Sequence, residues 1–282
     1  MRRPTPLLRA REAPICLASS WSDFVSGKKR KQEFLKQHPI CFNCGTAAAT
    51  TEDHVPSREC FVGRQFPEGF VFPACEPCNA KISSIEQGMA LLIRVADQDE
   101  SRVDQAVMEK LIRGVRNNTP DLLPREFDTD AEREKAIADS GWVPGPGETN
   151  DDAPVMALGP GWKAAVHAFA RKLTLALHYR ELGRPLPLDH HIRTEFFQFT
   201  DHAAPEIVEQ FQAMLPEYRT GERRNFDFGD QFQYIVGRSD QEGVFAFLAQ
   251  LARSWFVVGV TVPPELGAGR PEYIKHDDEL KL

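Results

Sequence analysis

No stretch of the 282-residue chain reaches the roughly twenty consecutive apolar residues that span a bilayer, so neither a transmembrane helix nor a membrane partner is expected. Arg9, Arg11 and Glu12 interrupt the short apolar run near the start, and no secretory h-region forms. A disulfide framework is equally unsupported. Of only six cysteines, four fall into one motif; Cys16 and Cys60 are left as ordinary thiols, and this usage suits a reducing, cytoplasmic compartment. Internal repeats, phosphate-cradling glycine loops, a serine nucleophile elbow and a coiled-coil seam are all missing, which removes the common nucleotide-binding and serine-hydrolase readings.

What is present gathers between Cys41 and Lys81. Two Cys-x-x-Cys pairs, Cys41/Cys44 and Cys75/Cys78, bracket the segment Thr51-Glu52-Asp53-His54-Val55-Pro56. Two intervening residues let both thiolates of a pair reach one tetrahedral ion from a tight turn, and Gly45 permits the positive φ such a knuckle needs. Four thiolates saturate a Zn²⁺ ion, so the site is structural and any chemistry has to lie beside it. His54 titrates near neutral pH and can take a proton from water, whereas Asp53 offers the hard oxygen that Mg²⁺ or Mn²⁺ prefers and Asn79 a neutral amide oxygen. Soft cysteines and hard oxygens would therefore sort two different metals.

These residues resemble the HNH endonucleases, also called the ββα-metal or His-Me finger family, in the version that carries a four-cysteine zinc. The likeness covers residues 41–81 only. It rests on Asp53-His54-Val55-Pro56 and on Cys75 through Lys81, with Asn79 placed as in the phage junction-resolving members of the superfamily. It implies His54 as the general base, Asp53 and Asn79 as ligands of a catalytic Mg²⁺ or Mn²⁺, and hydrolysis of DNA phosphodiesters to 5′-phosphate and 3′-hydroxyl ends. Lys81 or Arg58 would help to neutralise phosphate. One active site cuts one strand, so a double-strand break would need a homodimer or two successive nicks. Phe70 departs from the pattern: the family's middle Asn usually stands about five residues before the third cysteine. The rival reading is a non-catalytic zinc module that binds nucleic acid or protein. A third is an effector, such as a defence or mobile-element nuclease, whose C-terminal region senses a ligand or a protein.

Net charge is −7, but its sign is split. Residues 1–83 hold 12 Lys/Arg against 8 Asp/Glu, a balance of +4, and the remainder 22 against 33, a balance of −11. The basic charge travels with the motif, which is the arrangement that phosphate contacts require.

The expected fold class is α+β: a zinc-stapled ββα-metal (HNH) module followed by a helical and antiparallel-sheet region. Residues 1–20 read as an irregular arm and 21–118 as the zinc module with flanking helices. Residues 119–160 read as an acidic, Pro/Gly-rich linker, and 161–282 as a C-terminal α+β region of unassigned role. A basic helix is expected over 22–37 with Lys28-Lys29-Arg30-Lys31. Strands follow, one ending at His54 and one near Phe70 to Phe72. Asn79 opens a helix whose Ile82, Ile85, Met89, Leu92, Ile93 and Ala96 repeat at helical spacing. Ser101 is the expected N-cap of the next helix. A helix over 161–182 ends at Gly183, and another covers Ala204 to Leu215. Phe226 to Val236 and Val244 to Val262 read as strands, although Val244 to Ala252 also fits a helix. His167, His178, His190 and His191 read as packing or surface histidines.

Overall fold

The computed structural model describes residues 27–95, 104–153, 155–198, 217–220, 222–223, 226–227, 231–239, 243–252 and 255–278. The expected arm, Cys16, the start of the first helix, Ala96, the Ser101 cap and the helix over 204–215 lie outside them. Among the described residues no helix is long and apolar enough to cross a membrane. The chain is a mixed α+β fold. Helix α1 (Gly27–Gln37) precedes β1 (Thr51–His54) and β2 (Val71–Ala74), which pair antiparallel with Asp53 opposite Phe72. Helices α2 (Glu76–Val95), α3 (Gln105–Asn118), α4 (Asp130–Ser140) and α5 (Trp162–Leu182) follow. The remainder is strand: β3 (His191–Gln198), β4 (Glu217–Thr220), β5 (Glu222–Arg223), β6 (Phe226–Asp227), β7 (Phe232–Ser239), β8 (Val244–Leu251), β9 (Trp255–Val262) and β10 (Ile274–Lys275). Six of these strands form one antiparallel sheet in the order β10-β3-β9-β8-β7-β4, and β5 pairs with β6 as a separate short ladder.

Alternation along the strands sorts the sheet's two faces. Phe232, Tyr234, Phe245, Phe247, Trp255 and Val257 join the main core, whereas Ile235, Leu248, Phe256 and Val258 form a second cluster on the opposite face. The period-2 burial of Val244–Leu251 and its pairing on both edges make it a strand rather than a helix. Strand β3 is hidden in the sequence: Arg193, Thr194 and Glu195 mask the inward Ile192. The aromatic stretch expected as one strand from Phe226 joins the large sheet only at Phe232.

Helix α5 is apolar nearly all round, the pattern of a helix buried on every side. It lies between α2 and the sheet strands β3 and β9. Gly259 of β9 marks the closest approach, because a Cβ there would stand 2.3 Å from Thr174 Oγ1 and 2.2 Å from Phe247 Cε1. One core therefore runs without a break from Cys41 and Phe42 through α2 and α5 to Val257.

Two helix starts differ from expectation. Helix α2 begins at Glu76, so Asn79 sits within its first turn rather than opening it. Helix α3 is capped by Asp104, whose carboxylate accepts from the Val107 N–H at 3.2 Å.

Phe70 is 1% exposed and acts as a docking residue. Its ring stands edge-on to Phe232 at 5.1 Å and to Tyr234 at 6.2 Å, and the Arg180 guanidinium lies 4.2 Å above its centre. The loop between β1 and β2 is held by hydrogen-bond partners from elsewhere in the chain. Arg94 of α2 donates to the Glu59 and Phe61 carbonyls, Arg180 of α5 to the Gly69 carbonyl at 2.6 Å, and the Val62 N–H donates to Gln231 Oε1 at 2.9 Å. Long cationic side chains thus hold the loop where the resemblance would place an Asn side chain.

Candidate metal centre and its neighbours

The first knuckle closes through local hydrogen bonds. The Gly45 N–H donates to the Cys41 carbonyl at 3.0 Å, Cys41 N–H to the Ala47 carbonyl at 2.9 Å, and Ala47 N–H approaches Cys44 Sγ at 3.5 Å. Gly45 has φ 68°, and a Cβ there would press on the Leu186 carbonyl oxygen at 3.3 Å. The second pair straddles the start of α2, with Cys75 just before it and Cys78 in its first turn. A Phe42 N–H to Pro73 carbonyl bond of 2.8 Å ties the two knuckles together.

All four Sγ atoms lie within 4.8 Å of one another, and Cys41 and Cys75 are buried. Four sulfurs so gathered fit a tetrahedral zinc ion, given Zn–S bonds near 2.3 Å. The hydrogen bond from Cys78 holds the Cys41 thiol down to about 4 and pushes Cys78 far up. Among the described residues no other group of three or more His, Cys, Asp or Glu side chains is gathered this closely. Cys60 is buried and its thiol pushed up by burial, so it is chemically quiet.

Asp53 and His54 are neighbours on β1 and so point to opposite faces of the two-stranded sheet. His54 faces the exposed Arg58. Its Nε2 lies 2.6 Å from Arg58 Nη2, its ring meets Phe66 edge-on at 4.5 Å, and the guanidinium stands 4.6 Å over the same Phe66 ring. A guanidinium only donates, so Nε2 is the accepting nitrogen and the proton resides on Nδ1. Burial, then the charges of Arg58 and Lys172, lower the His54 pKa to about 4. The imidazole is neutral at physiological pH, with its basic lone pair engaged by Arg58.

Asp53 faces inward and is 5% exposed. The Lys172 ammonium of α5, itself 1% exposed, stands 2.8 Å from Asp53 Oδ2 and 2.7 Å from Glu86 Oε1 of α2. Burial pushes the Asp53 carboxyl up against the pull of Lys172, and it pushes Glu86 up to about 7. Burial works against the Lys172 charge, yet the two carboxylates outweigh it and hold its pKa above the ordinary value. A hard divalent ion therefore does not fit at Asp53 as the side chains stand, because an ammonium already neutralises the carboxylate.

Asn79 and Lys81 occupy the first turns of α2, Asn79 half-buried beside Cys78 and Lys81 exposed. A cleft of about 370 Å³ opens there, lined by Cys44, Cys78 and Lys81 on one side and by Arg171, Lys172 and His276 on the other. The structure thus brings the four cysteines together, pairs His54 with Arg58, and turns Asp53 toward Lys172 and Glu86. Sequence reasoning missed both of those partners. Their signal was there: Glu86 interrupts the apolar stripe Ile82-Ile85-Met89, and Lys172 interrupts Phe169-Leu173-Ala176, one acidic and one basic residue on core-facing helix stripes. Among protein-family models, curated proteins and solved structures, none matches this chain.

Proposed function

We propose that this chain is a zinc-stapled nucleic-acid-binding protein whose four-cysteine module organises the fold and does not hydrolyse the nucleic acid. The observation that carries this reading is the burial of Asp53 against Lys172: the carboxylate that metal-assisted hydrolysis would require is desolvated and already paired. Binding is supported by α1, which buries no residue and carries Lys28, Lys29, Arg30 and Lys31 beside β1. Arg58 and Lys81 add exposed cations on the module itself. Such contacts read phosphate and not sequence, so affinity should fall steeply with salt.

The test is fluorescence anisotropy with labelled duplex and single-stranded DNA in the absence of divalent ions. Wild type should bind at low salt. Replacing Lys28, Lys29, Arg30 and Lys31 together by Ala should flatten the slope of log K against log salt by about 2–4, roughly one for each phosphate no longer neutralised. No salt-dependent binding by wild type would overturn the reading.

A second reading, the HNH endonuclease, has one observation in its favour: a neutral His54 beside Asp53 at the end of a strand that leads through β2 into the helix carrying Asn79. It assigns His54 as base, Asp53 and Asn79 to Mg²⁺ or Mn²⁺, and Lys81 or Arg58 to the phosphate. Plasmid nicking by wild type in Mg²⁺ or Mn²⁺, lost in His54→Ala with zinc content unchanged, would establish it in place of the first.

A further inference from the structure

Three charged side chains from three separate elements meet in the core. Asp53 comes from β1, Glu86 from α2 and Lys172 from α5, and each is less than a tenth exposed. Burying charges is costly, and a lone buried lysine between apolar neighbours would usually be worse than a leucine. The cluster exists because two carboxylate oxygens converge on one point, 2.8 and 2.7 Å from the Lys172 nitrogen. Two anionic oxygens aimed at one cationic centre are also the minimum that holds a small divalent ion, whose oxygens lie at about 2.1–2.4 Å. A shift of a few tenths of an ångström in each side chain would convert one coordination into the other.

We propose that Asp53 and Glu86 form a divalent-cation site that the protein fills with its own side chain: the Lys172 ammonium takes the cation position, and a hard ion enters only when that side chain is removed. The inference rests on the Asp53–Lys172 contact that also supports the non-hydrolytic reading, but it is read in metal uptake without nucleic acid. Its failure is therefore separate from a failure to bind DNA. Charge favours the exchange, since replacing Lys172 by a neutral residue leaves two carboxylates without a counter-charge. Size favours it as well, because Lys172→Ala vacates the ammonium and most of its stem. Lys172 borders the cleft beside Cys44 and Cys78, which gives an ion a route to the emptied position.

Zinc-loaded full-length wild type, Lys172→Ala, Lys172→Ala/Asp53→Asn and Lys172→Ala/Glu86→Gln are titrated with Mn²⁺, and free Mn²⁺ is followed by electron paramagnetic resonance. Lys172→Ala should take up one Mn²⁺ with affinity at least about 100-fold above wild type, the scale of removing a like charge a few ångströms away. Both double variants should lose that gain. Mn²⁺ should also raise the melting midpoint of Lys172→Ala by roughly 5–10 °C at saturating concentration and leave wild type unmoved. If Lys172→Ala is unfolded with zinc alone, Mn²⁺ should restore its native circular dichroism. The proposal is overturned if wild type takes up Mn²⁺ as tightly as Lys172→Ala, if the double variants keep the uptake, if folded Lys172→Ala takes up none, or if Mn²⁺ fails to restore an unfolded one.

Discussion

Replacing Phe70 by Asn would install the residue that the HNH resemblance places there, and the structure predicts that this harms the protein. Phe70 is buried at the junction of β2, α5 and β7, so its truncation removes a large apolar side chain and leaves a cavity worth about 3–5 kcal/mol. Within that cost, the edge-to-face contacts with Phe232 and Tyr234 and the Arg180 cation above the ring account for about 0.5–1.5 kcal/mol each. An amide in that space has no designed partner and costs about 1–3 kcal/mol more. Phe70→Ala should therefore lose about 4 kcal/mol and Phe70→Asn about 5, whereas Phe70→Leu, which keeps the volume and loses the ring contacts, should lose about 1–2. The assay is urea denaturation of the zinc-loaded protein followed by tryptophan fluorescence, since Trp162 and Trp255 report the core beyond the module. If Phe70→Asn stays within about 1 kcal/mol of wild type, Phe70 is not a docking residue and the loop sits in another register.

Three further outcomes follow from the geometry. The protein should hold one zinc per chain, and Cys41→Ser or a strong chelator should collapse the helical circular dichroism cooperatively, because metal binding at such sites is worth roughly 10 kcal/mol and the cysteines share the main core. Arg94→Met should cost about 3 kcal/mol and speed proteolysis of residues 55–70, since the Glu59 and Phe61 carbonyls lose their charged donor; unchanged proteolysis would count against that anchoring role. His178 is buried, and its pKa is lowered to about 4, chiefly by burial. The unfolded chain therefore binds the proton first as pH falls: the stabilisation is complete above about pH 6.5 and is lost as pH falls toward 4. The loss relative to neutral pH reaches about 2–3 kcal/mol at pH 4.5. His178→Leu should flatten that part of the stability profile, and an identical profile in the variant would refute the assignment.

Much of the site was legible from residues 41–81. Cys-x-x-Cys spacing is a local signal, since each pair needs only its own turn to aim two sulfurs, and Gly45 shows the positive φ expected of it. The amphipathic stripe of α2 and the end of β1 at His54 were legible for the same reason, as periodicity is set by backbone geometry over a few residues. The ambiguity of Val244–Leu251 was real at that level, because a short apolar run satisfies both periods until a neighbouring strand pairs with it.

By itself, then, the sequence determined the four-cysteine cluster, the helices with clear apolar stripes and the segregation of basic charge toward the first 83 residues. Only the tertiary structure decided what Asp53 and Phe70 do. Both depend on partners about a hundred or more residues away: Lys172 comes from α5 to occupy the oxygens of Asp53, and Phe232, Tyr234 and Arg180 enclose Phe70. A carboxylate's chemistry is set by its solvation and its nearest charge, and neither is a property of its neighbours in sequence.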